Sequence, residues 1–302
     1  MSESGNTPDA FNEMRWREMW EAFTARRAVA ARPLAGGISA ETVLIDYISP
    51  AGMLCQAVGR RHGPVDFARN PRIAWDELAL LESLRDAGVP APSGIGVSDA
   101  GFFPTPVLFI EFIEGTSEPP ATQEPERAAE LLAQIHRCPT GDRLAFLPRR
   151  RAAIPPTADQ LDTSLSEPRI RAALASVDPP ATREDVLLHG DFWPGNLIWD
   201  RHGNPHAIDW EDAAIGDPLC DLANARLEWR LARNARVSER FTRRYVEITG
   251  RGIESLPWWD LWAALKLCGR LGGFGLDAVT ERRWRAKHRR FVDEAIANLT
   301  SP

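Results

Sequence analysis

Three oxygen-bearing side chains stand in one short stretch, Leu187–Asp221 (LLHGDFWPGNLIWDRHGNPHAIDWEDAAIGDPLCD). Asp191 follows His189-Gly190, Asn196 lies five residues further on, and Asp209 thirteen residues after that. Magnesium takes one or two carboxylate or amide oxygens and completes its shell with phosphate oxygens and water. Asn196 and Asp209 are donors of that kind. Asp191 is left to accept a proton from an attacking hydroxyl. A base and a metal-holding asparagine at this offset are parts of metal-assisted phosphoryl transfer. Taken singly, Asp and Asn are also ordinary turn residues, so the chemistry depends on the chain bringing all three to one point.

The local pattern does that. An apolar run ends at His189. Leu197-Ile198-Trp199 and Ala207-Ile208 read as short strands around the turn Arg201-His202-Gly203-Asn204, so the hairpin returns Asp209 to the loop of Asp191 and Asn196. Upstream, residues 9–31 read as an amphipathic helix through Phe11, Met14, Met19, Trp20 and Phe23. Arg32 to Ala35 reads as a strand leading into Gly36-Gly37-Ile38-Ser39. Thr42 to Ile48 and Met53 to Arg61 read as strands around the turn Ser49-Pro50-Ala51-Gly52. Ile73 to Ala87 reads as a helix stopped by Gly88, and Val107 to Ile113 as an apolar strand. Glu118-Pro119-Pro120 reads as a connection, after which Pro125 to Arg137 is helical. Residues 148–157 and 178–183 read as surface loops, and the last part of the chain as largely helical. The division expected is a helical extension over 1–31, a sheet-rich unit over 32–115 and a mainly helical unit over 116–302, an α/β (α+β) architecture.

Composition narrows the classes. The chain has 302 residues, enough for about two domains, and is 44% hydrophobic, so it buries a sizeable core. No apolar run approaches the length of a membrane span, and the start MSESGNTPDAFNEM lacks the basic and apolar blocks of a secretory signal. The net charge of −6 excludes a whole-surface nucleic-acid binder. Four dispersed cysteines without a CxxC exclude zinc-ribbon and thioredoxin-like readings and point to the reducing cytosol. Lys266 and Lys287 are the only lysines among 36 basic residues. A Walker A loop is thereby excluded, as is a GxSxG elbow by its absence.

HGDFWPGNLIWD followed by IDWEDAAIGDPLCDLA resembles the aminoglycoside phosphotransferase family, which is similar to choline kinases and more distantly to protein kinases. The resemblance implies a bilobal protein-kinase-like fold, with a small antiparallel-sheet lobe and a large mainly helical lobe. It implies binding of ATP (or GTP) with Mg2+, and transfer of phosphate to a hydroxyl of a small molecule such as an amino alcohol, sugar or aminoglycoside-like compound. By the same resemblance Asp191 matches the catalytic base and His189 the histidine that supports its loop. Asn196 and Asp209 match the metal ligands, and Asp217 and Asp221 structural acids. Gly36, Gly37 and Ser39 match the loop over the phosphates. Glu77 matches the helix glutamate bracing a basic residue of the third strand. Glu111, Phe112 and Ile113 match the connection that binds adenine. The lysine expected on the third strand is missing; Arg60 is the best substitute and Arg61 the fallback, since arginine keeps the charge and grips phosphate through two N–H groups.

Plainer readings stand beside these. Gly36-Gly37 is also an ordinary turn, Glu77 a solvated charge and Arg60 a surface arginine. His189 with His202 and His206 suggests a metal-dependent phosphoester hydrolase, and a regulator that binds nucleotide without turnover would keep the same motif. Gly273 to Ala278 fits GxGxxA without a preceding strand. Trp258, Trp259 and Trp262 with Asp260 read as core or as a cage for a cationic substrate. The basic run Arg282 to Arg290 reads as a solvated face or an anion site.

Overall fold

The computed structural model describes residues 11–34, 40–118, 124–157, 160–182 and 184–299. The chain divides into two compact units. The first runs to Glu82 and takes up Pro92–Ile113; the second comprises Ser83–Ala91 and the residues from Glu114 on.

The first unit carries α1 (Glu13–Thr24), β1 (Ala28–Pro33), β2 (Ala40–Ile48), β3 (Leu54–His62), α2 (Pro64–Arg69), the greater part of α3 (Ile73–Asp86), β4 (Gly94–Ser98) and β5 (Val107–Glu111). The strands form an antiparallel sheet in the order β1-β2-β3-β5-β4. The helix expected over 9–31 is shorter. Asn12 caps its start by accepting from Arg15 N, and Ala25 ends it at φ +55°. The alanine-rich segment after it has helical propensity, but edge pairing with β2 overrides that preference. Of the segment 1–31, read as a helical extension, the described residues 11–31 give the first unit a packed helix and the start of its edge strand. Trp16, Met19 and Trp20 of α1 share one core with Val43, Ile45, Ala57, Val107 and Phe109. The approach is close: a Cβ on Gly59 of β3 would stand 2.5 Å from the Trp16 ring.

Strand periodicity then sorts β3. Ala57 and Gly59 face α1, and Arg61 shares their parity. Val58, Arg60 and His62 face the other way.

The second unit carries α4 (Glu124–Ile135), β6 (Arg149–Arg150), α5 (Glu167–Ala175), β7 (Val186–Leu188), β8 (Leu197–Trp199), β9 (Pro205–Ala207), β10 (Ala214–Gly216), α6 (Pro218–Ala232), α7 (Ala235–Thr249), α8 (Leu256–Leu265) and α9 (Ala278–Leu299). The stretch 148–157, read as loop, contains β6, which pairs in parallel with β10; β10 pairs antiparallel with β7. β7 is the apolar run that ends at His189, whereas β6 has only two residues, both arginine, and leaves no strand pattern in the sequence. The hairpin β8-β9 pairs Leu197 with Ala207 and Trp199 with Pro205.

Arginine ties the helices. Arg226 of α6 grips Asp260 of α8 at 3.0 Å, and Arg230 of α6 grips Glu294 of α9 at 2.5 Å. Arg240 and Arg244 of α7 hold Glu126 and Glu130 of α4 at 2.7 and 2.6 Å. Among the described residues no helix is long and apolar enough to cross a membrane.

Candidate active site

β7 delivers the chain to His189, Gly190 and Asp191, and α6 holds that turn from beneath. The backbone N–H groups of His189 and Gly190 donate to Asp221 at 2.6 and 3.0 Å. His136, just past the end of α4, stands 3.4 Å from the same carboxylate and 2.7 Å from the Tyr245 hydroxyl of α7. Asp221 is fully buried. Burial works against its charged form, yet the His136 hydrogen bond and the nearby Arg150 charge help to hold its carboxyl below the usual range. Gly190 sits at φ +85°, and a Cβ there would lie 1.9 Å from the Asp212 carbonyl oxygen. Only glycine passes at that point.

His189, grouped in the sequence with the base, is fully buried. Its ring lies 4.5 Å from that of Trp210, and Nε2 stands 3.0 Å from the Ile208 carbonyl. Burial pushes its pKa down, against the pull of Asp221 and Asp191. A neutral ring then donates from Nε2 to Ile208 and accepts the 3.4 Å contact from Asp191 N at Nδ1. It pins the loop to the hairpin and presents no surface to a substrate.

Asn196 closes the turn Pro194–Asn196 and is buried. Its Nδ2 donates to the Asp191 carbonyl at 2.9 Å and to Asp191 Oδ2 at 3.3 Å. Its own carbonyl accepts from Ile208 N at 3.0 Å. The hairpin thus places Asp209 directly after a residue bonded to Asn196. Asp209 adopts φ +66°, an uncommon conformation for a residue with a side chain, and one that concentrates at functional sites. With its amide nitrogen committed to Asp191, Asn196 keeps Oδ1 for a cation. One amide and one carboxylate oxygen suit magnesium that draws its other ligands from phosphates and water.

Four residues that the sequence did not single out complete this end of the second unit. Lys266, at the C-terminal end of α8, donates to Asn224 Oδ1 at 2.9 Å and to the Gly190 carbonyl at 3.3 Å, and stands 3.5 Å from Asp191 Oδ1. Arg150 of β6 donates to the Gly190 and Asp212 carbonyls, both at 3.3 Å. Asn224 and Glu228 follow Asp221 by three and seven residues along one stripe of α6. Burial, and then the charge of Asp191, push the Glu228 carboxyl up to about 7, while Lys266 pulls it back.

In the first unit, Glu77 of α3 takes two partners from one face of β3. Arg60 Nη1 lies 3.6 Å from Oε1, and His62 Nε2 lies 3.0 Å from Oε2. All three are buried. Burial raises the Glu77 carboxyl, but Arg60 and His62 outweigh it and hold it below its ordinary value. Arg61, on the opposite face, donates to Glu41 at 2.8 Å and lies over the Phe103 ring. Strand parity puts Arg60, and not Arg61, on the side of His62. Glu111 ends β5, and Phe112 and Ile113 follow it at the end of the unit. Gly36, Gly37 and Ser39 lie outside the described residues.

The plainer readings divide. Trp258 and Trp259 are buried and Asp260 is bound to Arg226, so these three are core and an interhelical tie; Trp262 is half-buried, with Arg150 5.9 Å over its ring. His206 pairs with Asp200 at 3.5 Å, and among the described residues no group of three or more His, Cys, Asp and Glu side chains could hold a metal. Gly273 ends a single 3-10 turn that no strand precedes. On α9, Arg282, Arg283, Arg289 and Arg290 are exposed, a solvated face.

The sequence profile of the phosphotransferase enzyme family matches residues 30–259. The acyl-CoA dehydrogenase family member 10 of Mus musculus is 25% identical over 203 residues, 60% of this chain; the chain spans only 19% of that protein. The fold is similar to that of aminoglycoside 2'-phosphotransferase-IIIa in its GDP complex, with a TM-score of 0.64 and 17% identity over 95% of this chain and 99% of that one. It is also similar to spectinomycin phosphotransferase with ADP and spectinomycin, at TM-score 0.63 and 13% identity over 98% and 99% of the two chains. The choline kinase of Streptococcus pneumoniae gives a TM-score of 0.59 with 19% identity over 93% and 97%.

Proposed function

Because the chain belongs to the phosphotransferase enzyme family, we propose that it is a cytoplasmic kinase that moves the γ-phosphate of ATP or GTP to a hydroxyl of a small molecule. The observation that carries this reading is at Asn196: its side-chain Nδ2 donates to both the carbonyl and the carboxylate of Asp191, while its backbone carbonyl accepts from Ile208 N, the residue before Asp209. The base and both candidate metal ligands are thereby locked into one turn and one hairpin.

Each residue has a task. Asp191 accepts the proton of the acceptor hydroxyl. The acceptor oxygen forms the new P–O bond as the bond between the γ-phosphorus and its bridging oxygen breaks, and the nucleoside diphosphate leaves. Asn196 and Asp209 would hold Mg2+, which when bound neutralises charge on the phosphates. Arg60 supplies positive charge to the phosphates and is braced by Glu77, which His62 also holds. Gly36, Gly37 and Ser39 would cover the phosphates with backbone N–H groups. Glu111, Phe112 and Ile113 would meet adenine or guanine. Residues 32–115 thus serve the nucleotide, and residues 116–302 the chemistry and the acceptor. Orientation and charge neutralisation supply most of the rate gain, as expected where little covalent work falls to the protein.

The acceptor class is a hydroxylated small molecule: an amino alcohol, a sugar or an aminoglycoside-like compound. The test is nucleotide consumption with Mg2+ across a panel of such compounds, with Asp191→Asn as the blank. Product formation by the wild type and not by the blank is expected. Equal rates from both would remove Asp191 as the base. Phosphate release from phosphoesters without nucleotide would replace the kinase by a hydrolase.

A further inference from the structure

The chain has two lysines. Lys287 ends at the Leu231 and Arg233 carbonyls at 2.7 and 2.8 Å, at the C-terminal end of α6. Lys266 ends at the base. An ammonium has three donors, and the three oxygens around Lys266 Nζ account for all of them: Asn224 Oδ1 at 2.9 Å, the Gly190 carbonyl at 3.3 Å and Asp191 Oδ1 at 3.5 Å. Two belong to the loop and the third to α6, the helix that already holds this loop through Asp221.

We propose that Lys266 is the positioning residue of Asp191: it clamps the carboxylate against α6 through Asn224, while Asn196 holds the other carboxylate oxygen. The proposal rests on the reading of Asp191 as the base. The two grips are complementary. Asn196 Nδ2 reaches Oδ2 and Lys266 reaches Oδ1, so rotation about the bond to the carboxylate breaks one or both. Asn224 is buried, so the α6 side of the clamp is set by packing and does not have to be ordered at each turnover. The arrangement also explains the residue type. Three acceptors converging on one point suit a compact ammonium with rotatable donors; the planar fork of arginine spreads its donors apart.

The charge balance points the same way. Glu228 lies one turn of α6 beyond Asn224, and Lys266, 3.5 Å from Asp191 Oδ1, pulls down the Glu228 carboxyl that burial and Asp191 raise.

The test compares Lys266→Met, Asn224→Ala, Lys287→Met and Asp191→Asn. The readouts are MgADP affinity, phosphate release from MgATP or MgGTP with water as acceptor, and transfer to any acceptor found by the panel above. A misplaced base costs on the order of 100-fold in rate. Lys266→Met is therefore expected to lower kcat by about 10- to 100-fold with MgADP affinity unchanged within about twofold, and Asn224→Ala to lower it by about tenfold. The double variant should lose no more than Lys266→Met alone, because the residues act as a unit. Lys287→Met should keep wild-type turnover.

A second readout does not depend on turnover. In protein labelled with 15N-lysine only two ammonium resonances arise. That of Lys266 should move in Asp191→Asn and in Asn224→Ala, whereas that of Lys287 should not. If Lys266→Met unfolds, Asn224→Ala and the resonance shifts decide. Full turnover in Lys266→Met with loss in Asp191→Asn would overturn the clamp and leave the base standing. So would a Lys266 resonance indifferent to Asp191→Asn, or a raised acceptor KM at unchanged kcat. Full turnover in Asp191→Asn would instead refute the base.

Discussion

Asp221 lets the support of the loop be put in numbers. Two backbone donors, His189 N and Gly190 N, end on its carboxylate at 2.6 and 3.0 Å, and His136 approaches it at 3.4 Å, all in a fully buried environment. Hydrogen bonds to a charged group contribute about 1.5–3 kcal/mol each, and an orphaned buried donor costs about 1–3 kcal/mol. Asp221→Asn keeps one acceptor oxygen but turns an NH2 group toward the other donor, so one charge-assisted bond is lost and one N–H is orphaned. The expected loss of stability is about 2.5–6 kcal/mol. Turnover should fall by on the order of 100-fold, because Asp191 follows Gly190 directly and a shift of about 1 Å is enough.

The same substitution should flatten the acid side of the stability curve. The Asp221 carboxyl lies below its ordinary value of 3.8 in the folded chain. Its contribution is therefore complete above that value and is lost as pH falls through the folded pKa. Urea unfolding followed by tryptophan fluorescence at pH 7 and again below the ordinary carboxyl value, at about pH 3, with steady-state kinetics on the pH 7 samples, measures all of this. Stability within about 0.5 kcal/mol of wild type together with full turnover would refute the account, since substitutions that touch no such feature fall within that range.

Other perturbations separate the two units. Arg60→Ala and Glu77→Ala should each weaken MgATP binding, and a double-mutant cycle should show coupling of about 1 kcal/mol or more; additive losses would break the pair. Asp209→Ala should abolish the dependence of nucleotide affinity on Mg2+, whereas Asp191→Ala should keep nucleotide binding and lose turnover, as calorimetry with and without chelator would show. Glu228, raised from 4.5 to about 7, holds its proton more tightly folded than unfolded, so its contribution to stability falls as pH rises from about 4.5 to 7. Glu228→Gln should therefore raise the melting temperature by a few degrees at pH 8, with no gain at pH 4; equal shifts at both values would dismiss the buried carboxyl.

What the sequence reveals depends on distance along the chain. Asp191, Asn196 and Asp209 are legible because one loop and one hairpin place them, and the turn residues of that hairpin stand in the open. Arg60 and Glu77 are legible only with the resemblance, yet the alternation of β3 contains the choice between Arg60 and Arg61 and, with it, His62. Arg150, Asn224, Glu228 and Lys266 are not legible. Arg150 sits in a two-residue strand inside an arginine- and proline-rich stretch that looks like loop. Lys266 lies 75 residues from Asp191 at the end of a tryptophan-rich helix, where it reads as an ordinary C-terminal cation. Asn224 and Glu228 are two more polar positions on a helix whose other faces are buried against its neighbours. The helical pattern at 9–31 overreaches for the opposite reason: local propensity stays favourable past Ala25, and only pairing with β2 decides the matter.

The excess of arginine over lysine follows from the same geometry. Arg226, Arg230, Arg233, Arg240 and Arg244 each tie one helix to another through a carboxylate. A planar guanidinium suits these two-oxygen partners, and its charge survives partial burial. That use absorbs the basic character of the second unit, which otherwise reads as a preference for an anionic substrate. At the loop the demand differs, because the three oxygens come from α6, the backbone of Gly190 and the side chain of Asp191. If packing alone fixed the residue at position 266, Lys266→Arg would be as good as wild type. If donor geometry fixes it, Lys266→Arg keeps the charge and the fold but loses turnover, with nucleotide affinity intact.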